Sequence, residues 1–137
     1  KMLTENGRVD LAYKMLENET APSWLSEVNA GATTVWEDWE GNASRNHYSP
    51  GAVCEWMYDT ILGIKVDAER HFTISPIPGG TLTYAKGGYN SIYGEVRVSW
   101  TKEDGSFHYE IVVPENATAT IIIDGTATEA EAGTYRF

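Results

Sequence analysis

The feature that most constrains this chain is a change of hydrophobic period partway along it. Up to about Gly63 the apolar residues fall at helical spacing, and from about residue 70 they fall at every second position. A period near 3.6 buries one stripe of a helix, whereas a period of two buries one face of a strand. The two parts therefore need different architectures. Val9, Ala12, Tyr13 and Leu16 lie at i, i+3, i+4 and i+7 and predict a short amphipathic helix. Ala21-Pro22-Ser23 breaks it, and Trp24, Leu25 and Val28 give a second short helical face. Gly31 to Trp36 has no helical period and reads as loop or short extended strand. Ser49-Pro50 then supplies an N-cap and a first-turn proline for a helix over 50–62. Val53, Trp56, Met57, Thr60, Ile61 and Ile64 form its buried stripe, and Gly63 terminates it.

Beyond that point Phe72, Ile74 and Pro76 alternate with polar residues, and Pro78-Gly79-Gly80 turns the chain toward Leu82 and Tyr84. Val96, Val98 and Trp100 alternate next, Glu103-Asp104-Gly105 turns again, and Phe107, Tyr109, Ile111 and Val113 repeat the pattern. Ile121 to Ile123 is wholly apolar, and Gly133 to Phe137 reads as a last strand. Short alternating strands separated by turn signals predict an antiparallel sandwich or barrel. The fold class expected is α + β, with helices first and strands after.

A chain of 137 residues with 42% hydrophobic content can build a core, as one domain or as one domain with part of a neighbour. Twenty acidic residues against ten basic ones give a net charge of −10. That excludes an electrostatic nucleic-acid binder, which needs clustered cations, and equally a partner of anionic membrane surfaces. No apolar run approaches the roughly 20 residues that span a bilayer. The single cysteine, Cys54, can form no internal disulfide; it falls within the 50–62 helix and is expected to be a buried, inert thiol. The opening Lys1 to Asn18 resembles neither a signal peptide nor a natural start, so the chain is expected to be a fragment.

Chemistry concentrates where aromatic residues meet acids. Four of the five tryptophans precede Gly63, and Trp36 and Trp39 bracket Glu37, Asp38 and Glu40. Aromatic faces beside a carboxylate can desolvate it and can carry the apolar side of a sugar ring. Alternatively, the tryptophans are packing anchors and the acids a solvated rim. His47, just ahead of the 50–62 helix, can bond a substrate hydroxyl or simply a nearby carbonyl. His71 and His108 fall among the strands and read as surface residues. No two histidines are close enough to suggest a metal pair, so neither a metal nor a cofactor is expected.

Five motifs occur in order: Pro22-Ser-Trp-Leu25, Gly31-Ala-Thr-Thr-Val-Trp-Glu37, Asn46-His-Tyr48 with Gly51-Ala-Val53 and Glu55-Trp56, Gly79-Gly80 with Leu82-Thr-Tyr-Ala85, and Ser91-Ile-Tyr-Gly94. With Trp100 they resemble the C-terminal end of bacterial α-L-rhamnosidases, the inverting family 78 of glycoside hydrolases. The resemblance implies C-terminal helices of an (α/α) barrel over residues 1–65, then an antiparallel β-sandwich over residues 66–137. It implies Glu37 as general base and His47 as a contact to rhamnose; the aromatic faces of Trp36 and Trp39 are the candidate platforms for the sugar. Asp38 stands where that family often has a basic residue. The acid partner of Glu37 would lie upstream of this chain, so residues 1–137 alone should be inactive. Their helical face, uncovered by the rest of a barrel, should favour self-association. The implied partner is a rhamnosylated glycan or glycoside, with the bacterial periplasm and cytoplasm both open as its place. A competing reading is a non-catalytic carbohydrate-binding or structural β-sandwich module.

Overall fold

A computed structural model describes residues 1–137, which divide into two compact units. The first comprises Lys1–Trp56 with Gly79–Thr81, and the second Met57–Pro78 with Leu82–Phe137.

The first unit holds five short helices: α1 (Met2–Glu5), α2 (Val9–Leu16), α3 (Trp24–Asn29), α4 (Tyr48–Gly51) and α5 (Val53–Trp56). Helices this short are marginal alone, so packing must hold them. Tyr13 of α2 is 1% exposed and meets Trp56 of α5 edge to face, with ring centroids 5.2 Å apart. The Trp56 indole N–H donates to Thr4 Oγ1 at 2.8 Å, which ties α1 to the same cluster. Gly79 packs flat on the Tyr13 ring, where a Cβ would come within 2.6 Å.

Three expectations for the helices are corrected. In α3 the apolar pattern favours burial of Val28, yet Val28 is 60% exposed and Glu27 is 3% exposed. The short helix turns Glu27 inward because its carboxylate has a backbone donor there to accept. The segment read as one helix over 50–62 is interrupted: α4 starts at Tyr48 with extended His47 before it, so Ser49-Pro50 lies inside the helix rather than capping it. Gly51, a poor helix former, closes α4, and α5 follows. Cys54 is exposed, contrary to expectation, because Trp56 sets the inward face of α5.

The second unit opens with a π-helical turn, Met57–Ile61, followed by eight strands: β1 (Ile64–Ala68), β2 (His71–Ile74), β3 (Tyr84–Ser91), β4 (Gly94–Glu103), β5 (Ser106–Val113), β6 (Thr118–Ile123), β7 (Thr126–Ala130) and β8 (Gly133–Arg136). They form two four-stranded sheets, in the orders β1-β2-β6-β7 and β3-β4-β5-β8. Phe72, Ile74, Ala119 and Ile121 from the first sheet and Val96, Val98, Ile111 and Val113 from the second share one core. The unit is thus a two-sheet sandwich, and the whole chain is mainly β with a few short helices. The alternation seen in the sequence is the burial pattern of β2, β4 and β5. Trp100 donates its indole N–H to the Ile61 carbonyl at 2.8 Å, which anchors the π-helical turn on β4.

The sheets are not wholly antiparallel, because β2 pairs with β6 in parallel. Parallel neighbours need a long crossover, and β3, β4 and β5 supply it by building the other sheet between them. This pairing also corrects His71, which is not a plain surface residue. Its ring nitrogens lie 2.8 Å from Thr118 Oγ1 and 3.1 Å from Thr120 Oγ1 of β6. Tyr84 is 64% exposed, because β3 turns Ala85 and Gly87 inward instead. A Cβ at Gly87 would lie 2.5 Å from Leu62 Cδ1, so the end of that side chain would have to shift. Asp104-Gly105 and Asp124-Gly125 both take positive φ and close two-residue hairpins, as Asp-Gly pairs favour.

Candidate active site

The site is built in the first unit by a loop that folds back on itself. Glu37 N–H donates to Ser44 O at 2.8 Å, and His47 N–H donates to Val35 O at 2.9 Å. Thr34 Oγ1 adds a hydrogen bond to the Arg45 carbonyl. These bonds lay residues 34–37 beside 44–47, a short ladder that no regular strand claims. It brings His47 Nδ1 to 3.7 Å from Glu37 Oε2, with the two side chains 31% and 47% exposed. Residues ten apart in sequence thus lie side by side, both partly exposed.

The turn that joins the two arms belongs to Asp38. Its Oδ1 accepts the N–H groups of Glu40 at 2.9 Å and Asn42 at 3.2 Å, and its Oδ2 accepts that of Ala43 at 2.7 Å. These donors stabilise the ionised form, the Asn42 N–H foremost, and hold the Asp38 pKa below the ordinary carboxylate value. Asp38 is therefore a turn residue. Glu37 accepts one backbone bond, from Ser44 N–H at 3.2 Å, and otherwise remains available.

The tryptophans divide. Trp36 carries the Arg45 guanidinium 5.4 Å from its ring centroid, and Gly41 lies close against its six-membered ring. It acts as a packing anchor for the loop, with Arg45 held there by its own bond to the Gly41 carbonyl at 2.9 Å. Trp39 meets the edge of Trp24 at 5.9 Å and keeps 38% of its surface exposed. Trp24 in turn donates to the Pro50 carbonyl at 3.0 Å. Neither tryptophan shields Glu37, whose side chain stays about half exposed within this chain. His47 stacks on Tyr48 with centroids 5.6 Å apart, and Tyr48 is itself 88% exposed.

Sequence reasoning missed one residue of this neighbourhood. Glu27 of α3 accepts the Trp36 N–H through Oε2 at 3.2 Å, directly beside Glu37 in the chain. The signal was present in its spacing: Glu27 sits three residues after Trp24, on the helix face that Trp24 starts.

Residues 1–61 match the family described as bacterial alpha-L-rhamnosidase 6 hairpin glycosidase domain, and residues 66–136 match the bacterial alpha-L-rhamnosidase C-terminal domain. An α-L-rhamnosidase of Formosa agariphila is 41% identical over 143 aligned positions, covering 95% of this chain and 15% of that protein. The crystal structure of Streptomyces avermitilis α-L-rhamnosidase complexed with L-rhamnose matches with a TM-score of 0.89 and 33% identity, over 98% of this chain and 16% of that one. Native α-L-rhamnosidase from Aspergillus terreus matches with a TM-score of 0.91 and 31% identity, over 98% of this chain and 18% of that one. The chain thus spans only 15–18% of the length of these three proteins. With matches over both its helical and its strand-rich residues, the chain belongs to the bacterial α-L-rhamnosidase family.

Proposed function

We propose that this chain is part of an inverting glycoside hydrolase that releases terminal α-L-rhamnose from glycosides, with Glu37 as its general base. Residues 1–65 would be the last helices of its (α/α) barrel catalytic domain, and residues 66–137 its C-terminal sandwich. The observation that carries this reading is the Glu37–His47 pair, 3.7 Å apart and both open, while neighbouring Asp38 spends its carboxylate on the turn. The glycosidase-domain match over residues 1–61 favours an enzyme over a carbohydrate-binding module.

Inversion is a single displacement. Water attacks the anomeric carbon from the face opposite the leaving oxygen, and the base takes the water's proton as the new C–O bond forms. Glu37 is exposed enough to hold that water and is anchored by its own N–H to Ser44. His47 would bond a rhamnose hydroxyl, which sets the sugar against the base, and the exposed part of Trp39 would meet its apolar side. Trp36 serves the substrate only indirectly, by holding the loop. The second carboxyl group protonates the leaving oxygen and must stand about 6.5–9.5 Å from the base. Glu37 and Asp38 cannot share these roles, since Asp38 points into its turn. Following the family resemblance, the acid is assigned to a residue outside 1–137.

The substrate is a rhamnosylated glycan or glycoside, and the net charge of −10 offers nothing to nucleic acid or to an anionic membrane. Taken alone, residues 1–137 would self-associate through the apolar groove between α2 and α5, about 360 Å³ in volume and lined by Ala12, Leu16, Val53 and Trp56.

Proton NMR of the intact enzyme acting on an aryl α-L-rhamnoside tests the reaction. The β-anomer should appear first and mutarotate later; first release of the α-anomer would contradict inversion. The same assay on residues 1–137 alone should show no turnover above a buffer blank.

A further inference from the structure

We propose that Glu27 is a positioning residue for the reaction, holding the backbone from which Glu37 works; this rests on Glu37 being the general base. Glu27 lies in α3 with 3% of its surface exposed. Its Oε2 accepts the Trp36 N–H at 3.2 Å, and its Oε1 is buried with no hydrogen-bond partner. Its own carbonyl accepts the Ala32 N–H at 2.9 Å. One residue thus grips both ends of the approach that runs from Ala32 to Trp36.

A half-satisfied buried carboxylate is a poor choice for stability. Burying a carboxyl group costs free energy unless its oxygens are bonded, and an apolar residue would suit the α3 face better. What the carboxylate supplies is a fixed Trp36 peptide. On the following peptide, Glu37 N–H is held by Ser44 O at 2.8 Å. The backbone of the base is therefore clamped from both sides, by Glu27 before it and Ser44 after it. A displacement of about 1 Å in such a group can cost a hundredfold in rate, because water and base must meet in line.

The gripped peptide also carries the Val35 carbonyl that accepts the His47 N–H, so loss of the clamp should appear first in kcat, with a smaller change in KM. In the intact enzyme, with an activated aryl α-L-rhamnoside, Glu27→Leu keeps the volume but orphans the Trp36 N–H. It should lower kcat about tenfold or more with KM within about threefold. Glu27→Gln keeps an acceptor oxygen and should stay within about threefold of wild type in both constants. The deciding measurement is a double-mutant cycle with Glu37→Ala. If Glu27 works through Glu37, Glu27→Leu should cost less than about twofold once the base is gone. Equal losses in both backgrounds, or a Glu27→Gln variant as slow as Glu27→Leu, would overturn the proposal. A near-wild-type kcat for Glu37→Ala would overturn the base assignment itself, an outcome distinct from additivity in the cycle. If Glu27→Leu does not fold, the proposal stands or falls on Glu27→Gln together with Glu27→Ser, which is too short to reach Trp36 and should lower kcat as Glu27→Leu would.

Discussion

Glu37 and Asp38 differ by one methylene and sit side by side, yet the backbone gives them unlike tasks. Three N–H groups converge on the Asp38 oxygens, while Glu37 receives one and keeps about half its side chain in the open. The pH behaviour of the turn follows. Asp38 has its pKa lowered on folding, so its hold on the 38–43 turn is complete at neutral pH. That hold fades as pH falls from the ordinary Asp pKa of about 3.9 through the depressed value. Amide exchange of Asn42 and Ala43, expressed as protection factors, should stay constant from neutral pH down to about the ordinary Asp pKa and drop from there as pH falls to the depressed value. Asp38→Ala should remove the protection at every pH. Unchanged protection in Asp38→Ala would show that the turn holds itself without the carboxylate.

Turns also decide where the strand-rich unit begins. Gly63 has φ +70°, and a Cβ placed on it would lie 2.1 Å from Pro76 N and Ser75 C, backbone atoms that cannot step aside. The contact is part of the fold, since Ser75 N–H donates to Gly63 O at 2.9 Å. Gly63→Ala combines a strained left-handed residue with overpacking and should destabilise the unit by about 2 kcal/mol or more, read as a lower urea midpoint. A midpoint within error of wild type would contradict the packing described at this junction. Gly63 was legible as a terminator because glycine at a helix end has a local cause. The strands β2, β4 and β5 were legible for a similar reason: Phe72, Val98 and Ile111 each announce their face within a few residues. Strand β7 was not, because Thr126 to Ala130 buries little beyond Ala130 and carries almost no apolar alternation. The parallel pairing of β2 with β6 depends on a crossover of more than 40 residues, which no local pattern records. Glu27 was missed because an acid on an apolar face reads as an exception until its backbone partner, Trp36, is seen beside it. Within the loop, Glu37 and His47 were legible as candidates, but their meeting depends on the Val35–His47 and Glu37–Ser44 backbone bonds.

The two units present different surfaces to water. In the second, twelve buried residues form one continuous core drawn from both sheets, the segment before β1 and the turn between β5 and β6. In the first, Met2, Met15, Val28 and Tyr48 are all more than half exposed, and the aromatic cluster of Tyr13 and Trp56 is small. An exposed apolar groove beside such a cluster is the mark of a surface meant to be covered. Matches reach 98% of this chain but only 16–18% of the matched structures, so these residues correspond to a small part of those proteins. The role proposed for Glu37 is therefore to be tested in the intact protein, together with the acid partner proposed for it. The most direct measurement compares the kcat of Glu37→Gln with that of Asp38→Asn on an aryl α-L-rhamnoside. A general base is worth about 10²–10⁴ in rate, so Glu37→Gln should lower kcat at least about a hundredfold with KM within a few-fold. Asp38→Asn, which touches only the turn, should cost far less. Equal losses for the two, or a Glu37→Gln effect that falls mainly on KM, would contradict Glu37 as the base.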